Sequence, residues 1–263
     1  EEKLNRTDHT QVAMLAADVA IWRTWLAAGG CPPAVLAGHS LGEYAALVCA
    51  QTLTFDAALR LVQARAYHMQ LAVQGIAGSM AAILGLSDTE IESVCTAAKG
   101  AGIVAPANYN APGQVVIAGT AAAVAKAIEL AKAQGAKRAV ALSVSVPSHC
   151  ELMRPAAEGF AAVLAEVAID APRIPVLHNA DVTSYQTAAA IREALIRQLY
   201  CPVRWVESIQ AISAMGMDRC IESGPGKVLA GLNRRIVQGM RCVCVQDPES
   251  LAEALDFCEA DEE

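Results

Sequence analysis

The sequence predicts an α/β protein with a mostly parallel sheet and a smaller α/β unit inserted into it. Strand and helix patterns alternate along the chain. A strand–helix junction carries Gly38-His39-Ser40-Leu41-Gly42. The stretch 76–138 has a β-α-β-β-α-β rhythm of its own.

Residues 10–28 read as a helix ended by Gly29-Gly30. Val35 to Gly38 is a short apolar strand. Ser40 to Cys49 and Phe55 to Val73 follow as helices, the second with Asp56 in its first turn. Met80 to Leu84 is a strand. Ser87-Asp88-Thr89-Glu90 is a capping box that opens a helix to about Lys99. Ile103 to Ala105 and Gln114 to Ala118 are strands joined by a turn through Asn110, Pro112 and Gly113. Thr120 is expected to cap a helix to about Gln134, ended by Gly135, and Ala139 to Val146 is the next strand. This order is the ferredoxin-like plan, so the chain divides into a large part, 1–75 and 139–263, and an insert, 76–138.

At 263 residues, 54% of them hydrophobic and 18% charged, the chain can bury a sizeable core. No apolar run reaches the roughly 18 residues of a membrane span. The longest candidate, Val12 to Leu26, is broken by Asp18 and Arg23. A net charge of −7 without basic runs argues against nucleic acid. Nine cysteines, an odd count, with no CxxC pair point to reduced thiols in a cytoplasm. Cys242 and Cys244 are too close together, and too far from any histidine, for a zinc site. No metal is expected. Glu1 to Asn5 reads like the middle of a protein.

Gly-x-Ser-x-Gly between a strand and a helix is a nucleophile elbow, the device of α/β-hydrolase-like domains. Both flanking glycines are expected because the turn is too sharp for side chains. The Leu41 amide, at the positive end of the following helix, is placed to stabilise an oxyanion. A serine needs a base. Of the histidines His9, His39, His68, His149 and His178, His149 is the best candidate, since it follows Val144-Ser145-Val146 at an expected strand end before a helix. His39 is expected to pack against its own loop. No carboxylate between 40 and 149 sits like a triad acid, so something else must orient His149. Ala58, Val62, Arg65 and Met69 share a helix face. An arginine on that apolar stripe suits a bidentate carboxylate from a cleft. Asn108-Tyr109-Asn110 and Gly224-Pro225-Gly226 are loops that could line the cleft.

Gly38-His39-Ser40-Leu41-Gly42-Glu43-Tyr44, Asn110 to Gly119, Val146 to Cys150, Arg197 to Tyr200 with Pro202-Val203, and Gly224 to Leu229 together resemble the bacterial malonyl-CoA:acyl-carrier-protein transacylases of type II fatty-acid synthesis. The blocks lie in the family's order and cover nearly the whole chain. The resemblance implies Ser40 as acylated nucleophile, His149 as base, the main-chain carbonyl of Gln198 as orienter of His149, and the Leu41 amide as oxyanion donor. It implies Arg65 as holder of the malonyl carboxylate, and Gln11, Met69 and Asn110 as substrate-binding positions. The family opens with a strand and a Gly-Gln-Gly loop that supplies a second oxyanion amide. Gln11, in the Thr10-Gln11 pair, is not that glutamine, and the chain is expected to lack that segment. The implied partners are malonyl-CoA and acyl carrier protein. No cofactor is implied, and a monomer is expected. Lys137, Arg138, Arg197, Arg234 and Arg235 are candidates for a basic carrier-docking patch. Rival readings are a thioesterase-like serine hydrolase and an inactive fragment that only binds carrier protein. Malonyl is the expected extender unit: Ser148 beside His149 leaves room for a methyl branch, but the Val-Pro-Ser-His form is what the malonyl enzymes of the family show.

Overall fold

Helix α1 (Thr7–Ala27) turns Gln11, Leu15, Val19 and Trp25 inward. In this computed structural model, which describes residues 7–144 and 146–259, Gly30 then lies against the Trp25 ring, where a side chain would collide at 2.1 Å. The chain enters strand β1 (Leu36–Ala37), passes the elbow and continues as α2 (Gly42–Cys49) and α3 (Phe55–Ala72). Thr54 caps α3 by accepting from the Ala57 amide. Spacings of three and four put Ala58, Leu61, Val62, Arg65 and Met69 on the buried face of α3. That face meets α1 and α6 (Arg154–Ala165), and Tyr44 and Phe160 pack edge to face at 6.4 Å.

Strands β2 (Gly78–Leu84), β3 (Val104–Ala111), β4 (Gln114–Thr120) and β5 (Arg138–Ala141) form an antiparallel sheet in the order β3-β4-β2-β5. Helices α4 (Asp88–Ala98) and α5 (Ala121–Ala133) pack on it. The strand period of two divides its residues between two cores. Ala81, Ile83, Val115 and Ile117 pack with Ile91, Val94, Val124 and Ala127 of the helices. Met80, Val116 and Ala118 point the other way, into the core built on α1, α2, α3 and α6. The Ser87–Glu90 capping box forms as expected. Thr120 differs: it holds the N-cap position of α5 without a side-chain cap, and its hydroxyl is directed at the Ile103 carbonyl instead.

Two parallel strand pairs complete the sheets among the described residues. β1 pairs with β6 (Val176–Leu177), and β7 (Arg219–Ser223) pairs with β8 (Arg241–Val245). They are flanked by α7 (Ala188–Gln198), α8 (Trp205–Ala214), α9 (Val228–Ile236) and α10 (Pro248–Glu259). In place of the expected single, mostly parallel sheet there are thus two separate parallel pairs, and β1 and β7 both line the cavity described below. The expected strand to Val146 stops at Ala141, with Ser145 outside the described residues. Leu142 adds one more ladder bond, to Met80, but Pro147 has no N–H to pair and packs against Gly78 at the start of β2. The thiol expectation is also corrected. Cys220 and Cys242 are joined in a disulfide, because the β7–β8 register sets them opposite each other with 4.7 Å between Cα atoms. No helix among the described residues is long and apolar enough to cross a membrane.

Candidate active site

Ser40 stands in the elbow with φ +52°, a conformation that costs a non-glycine residue on the order of 1–3 kcal/mol. Neighbouring groups hold it there. The Asn179 side chain, just past β6, accepts from the Ser40 amide at 2.7 Å and donates to the Gly38 carbonyl at 2.8 Å. Gly38 has no room for a side chain, since a Cβ there would lie 2.0 Å from the Gly42 backbone. Gly42 corrects the expectation of two sterically required glycines: a Cβ there would meet nothing within 4 Å. Its Cα borders the cavity, so the glycine leaves space there.

His149 is 109 residues away in sequence, yet its Nε2 lies 2.7 Å from Ser40 Oγ. Its Nδ1 faces the Gln198 main-chain carbonyl at 2.8 Å, and its own amide donates to the Leu199 carbonyl at 3.0 Å. The C-terminal end of α7 therefore grips His149 by backbone and ring, in a left-handed conformation with φ +60°. It sits in an irregular segment rather than at a strand end, ahead of a short 3₁₀ turn and α6. Because the orienting carbonyl has no proton to give, Nδ1 is the protonated nitrogen and Nε2 is free to accept from Ser40. Burial, helped by the positive charge of Arg65, lowers His149 from 6.5 to about 3. The imidazole is thus neutral near pH 7.

Arg65 projects from α3 with only 2% of its surface exposed. Its Nη1 donates to Gln11 Oε1 at 2.8 Å, and its Nη2 to Ser40 Oγ at 3.2 Å and Gln198 Oε1 at 3.1 Å. The Tyr44 ring lies 5.7 Å from the guanidinium carbon. Burial pulls Arg65 below its ordinary range, and Tyr44 and Glu43 oppose that shift. Gln11 Nε2 in turn donates to Thr7 Oγ1 at 2.8 Å and reaches Met69 Sδ at 3.6 Å. The Leu41 amide, ahead of the first turn of α2, donates to no acceptor among the described residues.

These groups open on a cavity of about 880 Å³. Ser40, Leu41, Arg65, Gln11, Met69 and Asn110 line it, together with residues of β1 and β7 and with Trp25. His39 departs from expectation. It leaves its own loop, meets Asn110 Oδ1 at 2.8 Å and packs 5.5 Å from the Trp205 ring. The basic candidates do not form a single patch. Lys137 and Arg235 share a separate surface hollow, while Arg197 pairs with Asp181 and Arg234 donates to the Cys242 carbonyl.

Sequence reading missed the layer beneath the elbow. Glu43 is fully buried and accepts from His178 Nδ1, the Asn179 amide and Gln198 Nε2. The available signal was slight: an acidic residue one position past the elbow, and a polar His178-Asn179 pair ending a strand of two residues.

A serine that shares its proton with a neutral histidine, beside an unused helix-start amide, is the constellation of covalent acyl transfer. The chain belongs to the acyl transferase domain family, whose model matches residues 1–246. It is 51% identical over 254 residues to the malonyl CoA-acyl carrier protein transacylase of Salmonella typhimurium, covering 97% of this chain and 82% of that protein. The protein of the same name from Bacillus subtilis is 43% identical over 255 residues, covering 97% and 80%. Among solved structures, the malonyl CoA-acyl carrier protein transacylase of Coxiella burnetii superposes with a TM-score of 0.95 at 48% identity, covering 97% of this chain and 81% of that one. A malonyl-transacylase solved in complex with its type II polyketide acyl-carrier protein matches equally well, at 0.95 and 50% identity, covering 97% and 83%.

Proposed function

We propose that this chain moves the malonyl group of malonyl-CoA onto the phosphopantetheine thiol of an acyl carrier protein through a malonyl-Ser40 intermediate, as a step of fatty-acid synthesis. The observation that carries the reading is Arg65: a buried guanidinium 3.2 Å from the nucleophile whose close hydrogen-bond partners are all neutral. A malonyl carboxylate satisfies such a group with paired, charge-assisted hydrogen bonds. An acetyl group leaves its charge unpaired.

His149 Nε2 takes the hydroxyl proton as Ser40 Oγ attacks the thioester carbonyl. The Leu41 amide stabilises the oxyanion. As the tetrahedral intermediate collapses, the carbon–sulfur bond breaks and coenzyme A leaves as thiol with the proton from His149. In the second half, the carrier thiol gives its proton to His149 and attacks malonyl-Ser40. The ester bond breaks, and Ser40 recovers the proton. The Gln198 carbonyl holds the imidazole in one tautomer throughout. Gln11 steadies Arg65, Met69 packs beside it, and Asn110 anchors His39 at the cavity wall. The coenzyme A thioester and the carrier thiol are the two substrates, and the reading calls for no cofactor.

The reading extends to architecture and setting. Residues 1–75 and 139–263 form an α/β-hydrolase-like catalytic part, and 76–138 a ferredoxin-like part, supported by the strand order β3-β4-β2-β5 with α4 and α5 packed on the sheet. The enzyme works as a cytoplasmic monomer. The hollow with Lys137 and Arg235 offers positive charge to an acidic carrier. Intact-protein mass after mixing with malonyl-CoA tests the chemistry. One malonyl adduct is expected, absent in Ser40→Ala. An adduct that survives Ser40→Ala refutes the assignment of the nucleophile. An adduct that hydrolyses as fast as it forms, without thiol, favours a hydrolase instead.

A further inference from the structure

Arg65 is a buried cation, and a buried carboxylate lies close by in the same network without touching it. Glu43 Oε1 accepts from His178 Nδ1 at 2.7 Å, and Oε2 from the Asn179 amide at 2.9 Å and from Gln198 Nε2 at 3.1 Å. Between Glu43 and Arg65 stands the side-chain amide of Gln198. Its Nε2 also donates to the Ser40 carbonyl at 2.7 Å, and its Oε1 accepts from Arg65 Nη2 at 3.1 Å. Only one orientation of the amide works. Flipped, its oxygen would face a carboxylate and a carbonyl while its NH₂ faced a guanidinium, so every contact would turn repulsive.

The electrostatic consequence follows from where the negative charge stops. A carboxylate placed directly on a buried guanidinium forms a tight, hydrogen-bonded pair, and breaking such a pair to admit a ligand is costly. One amide further away, Glu43 still favours the charged form of Arg65. It does not occupy the guanidinium edge.

The geometry points to Gln198 as a specificity-determining positioning residue. Its side-chain amide keeps the Glu43 carboxylate one hydrogen bond away from Arg65, leaving the guanidinium charged and open to the carboxylate of the acyl group. This rests on the transacylase reading above. It is separate from the Gln198 main-chain carbonyl, which faces His149 and is retained in every side-chain substitution.

The test is Gln198→Glu, which brings a carboxylate onto Arg65 at constant shape. Because that also abuts two buried carboxylates, the exchange Glu43→Gln with Gln198→Glu is measured alongside. It keeps one buried carboxylate and moves it one step closer to Arg65. Rates of Ser40 acylation are taken from intact mass with malonyl-CoA and with acetyl-CoA. The expected result is a fall of about tenfold or more in the malonyl-over-acetyl ratio, with the loss carried by the KM for malonyl-CoA. Both donors slowing in equal proportion would mean a merely structural role and overturns the inference, as does an unmoved ratio. A wild-type chain that forms no malonyl-Ser40 adduct sinks the transacylase reading and this inference with it. A wild type that forms the adduct, with variants that keep its selectivity, sinks this inference alone.

Discussion

The sheet of β2 to β5 and the pocket around Ser40 are built by opposite means. In the sheet, alternating aliphatic side chains are buried on both faces, with Ile83 and Ile117 on one and Met80 and Val116 on the other. Each contributes through area removed from water, which is non-directional. In the pocket, Glu43, Arg65, His149 and Gln198 are buried polar groups, and His149 and the adjacent Ser40 have left-handed backbones. Their order depends on individual hydrogen bonds of fixed direction. A change among the helix-facing residues of the sheet should therefore cost stability and leave the chemistry of folded molecules intact, whereas a change in the pocket should do the reverse.

The largest test of that contrast is His149→Ala. Removing the base should slow malonyl-Ser40 formation by about 10²–10⁴-fold, read by quenched-flow mass spectrometry. Arg65→Ala comes next, with about a 10²-fold loss of preference for malonyl-CoA over acetyl-CoA in competition. On the other side of the comparison, Ile117→Ala should cost roughly 2–5 kcal/mol in urea unfolding. The acylation rate per folded molecule should stay at the wild-type value, and a rate that falls with stability would break the contrast. Ser87→Ala removes one exposed cap and should cost only about 1 kcal/mol, again without kinetic effect.

The smallest expected effect is a flat line. Because His149 is lowered to about 3 from 6.5, it stays in its basic form, and Ser40 acylation should show no step between about pH 5 and about pH 8. The sign for stability is the opposite of a gained cation. The depressed value means the unfolded chain binds the proton more tightly, so His149 supports folding fully above about 6.5, and that support is lost as pH falls toward about 3. A rate step near the ordinary imidazole value would place His149 in water rather than in the pocket.

The local features were legible because their causes are local. The Ser87 capping box, the elbow glycine at 38, the turn before Gln114 and the buried face of α3 each follow from contacts within a few residues. Where a local rule met a distant partner, it failed. Thr120 gave up its cap for the Ile103 carbonyl, His39 left its loop for Asn110 and Trp205, and the strand after Ala139 ended early against Pro147 and Gly78.

The sequence by itself pointed to an α/β protein with a serine elbow, a histidine expected as base without a triad acid, and an arginine expected to face a cleft. The resemblance it carries pointed to acyl transfer. Only the tertiary structure decided which atoms meet: that α7 lends both a carbonyl to His149 and an amide to Arg65, that Glu43 stops one bond short of the guanidinium, that Gly42 borders open space, and that Cys220 faces Cys242. The physical reason is that buried polar groups must find partners wherever the fold supplies them. For Gln198 those partners include Ser40, which lies 158 residues away in the chain.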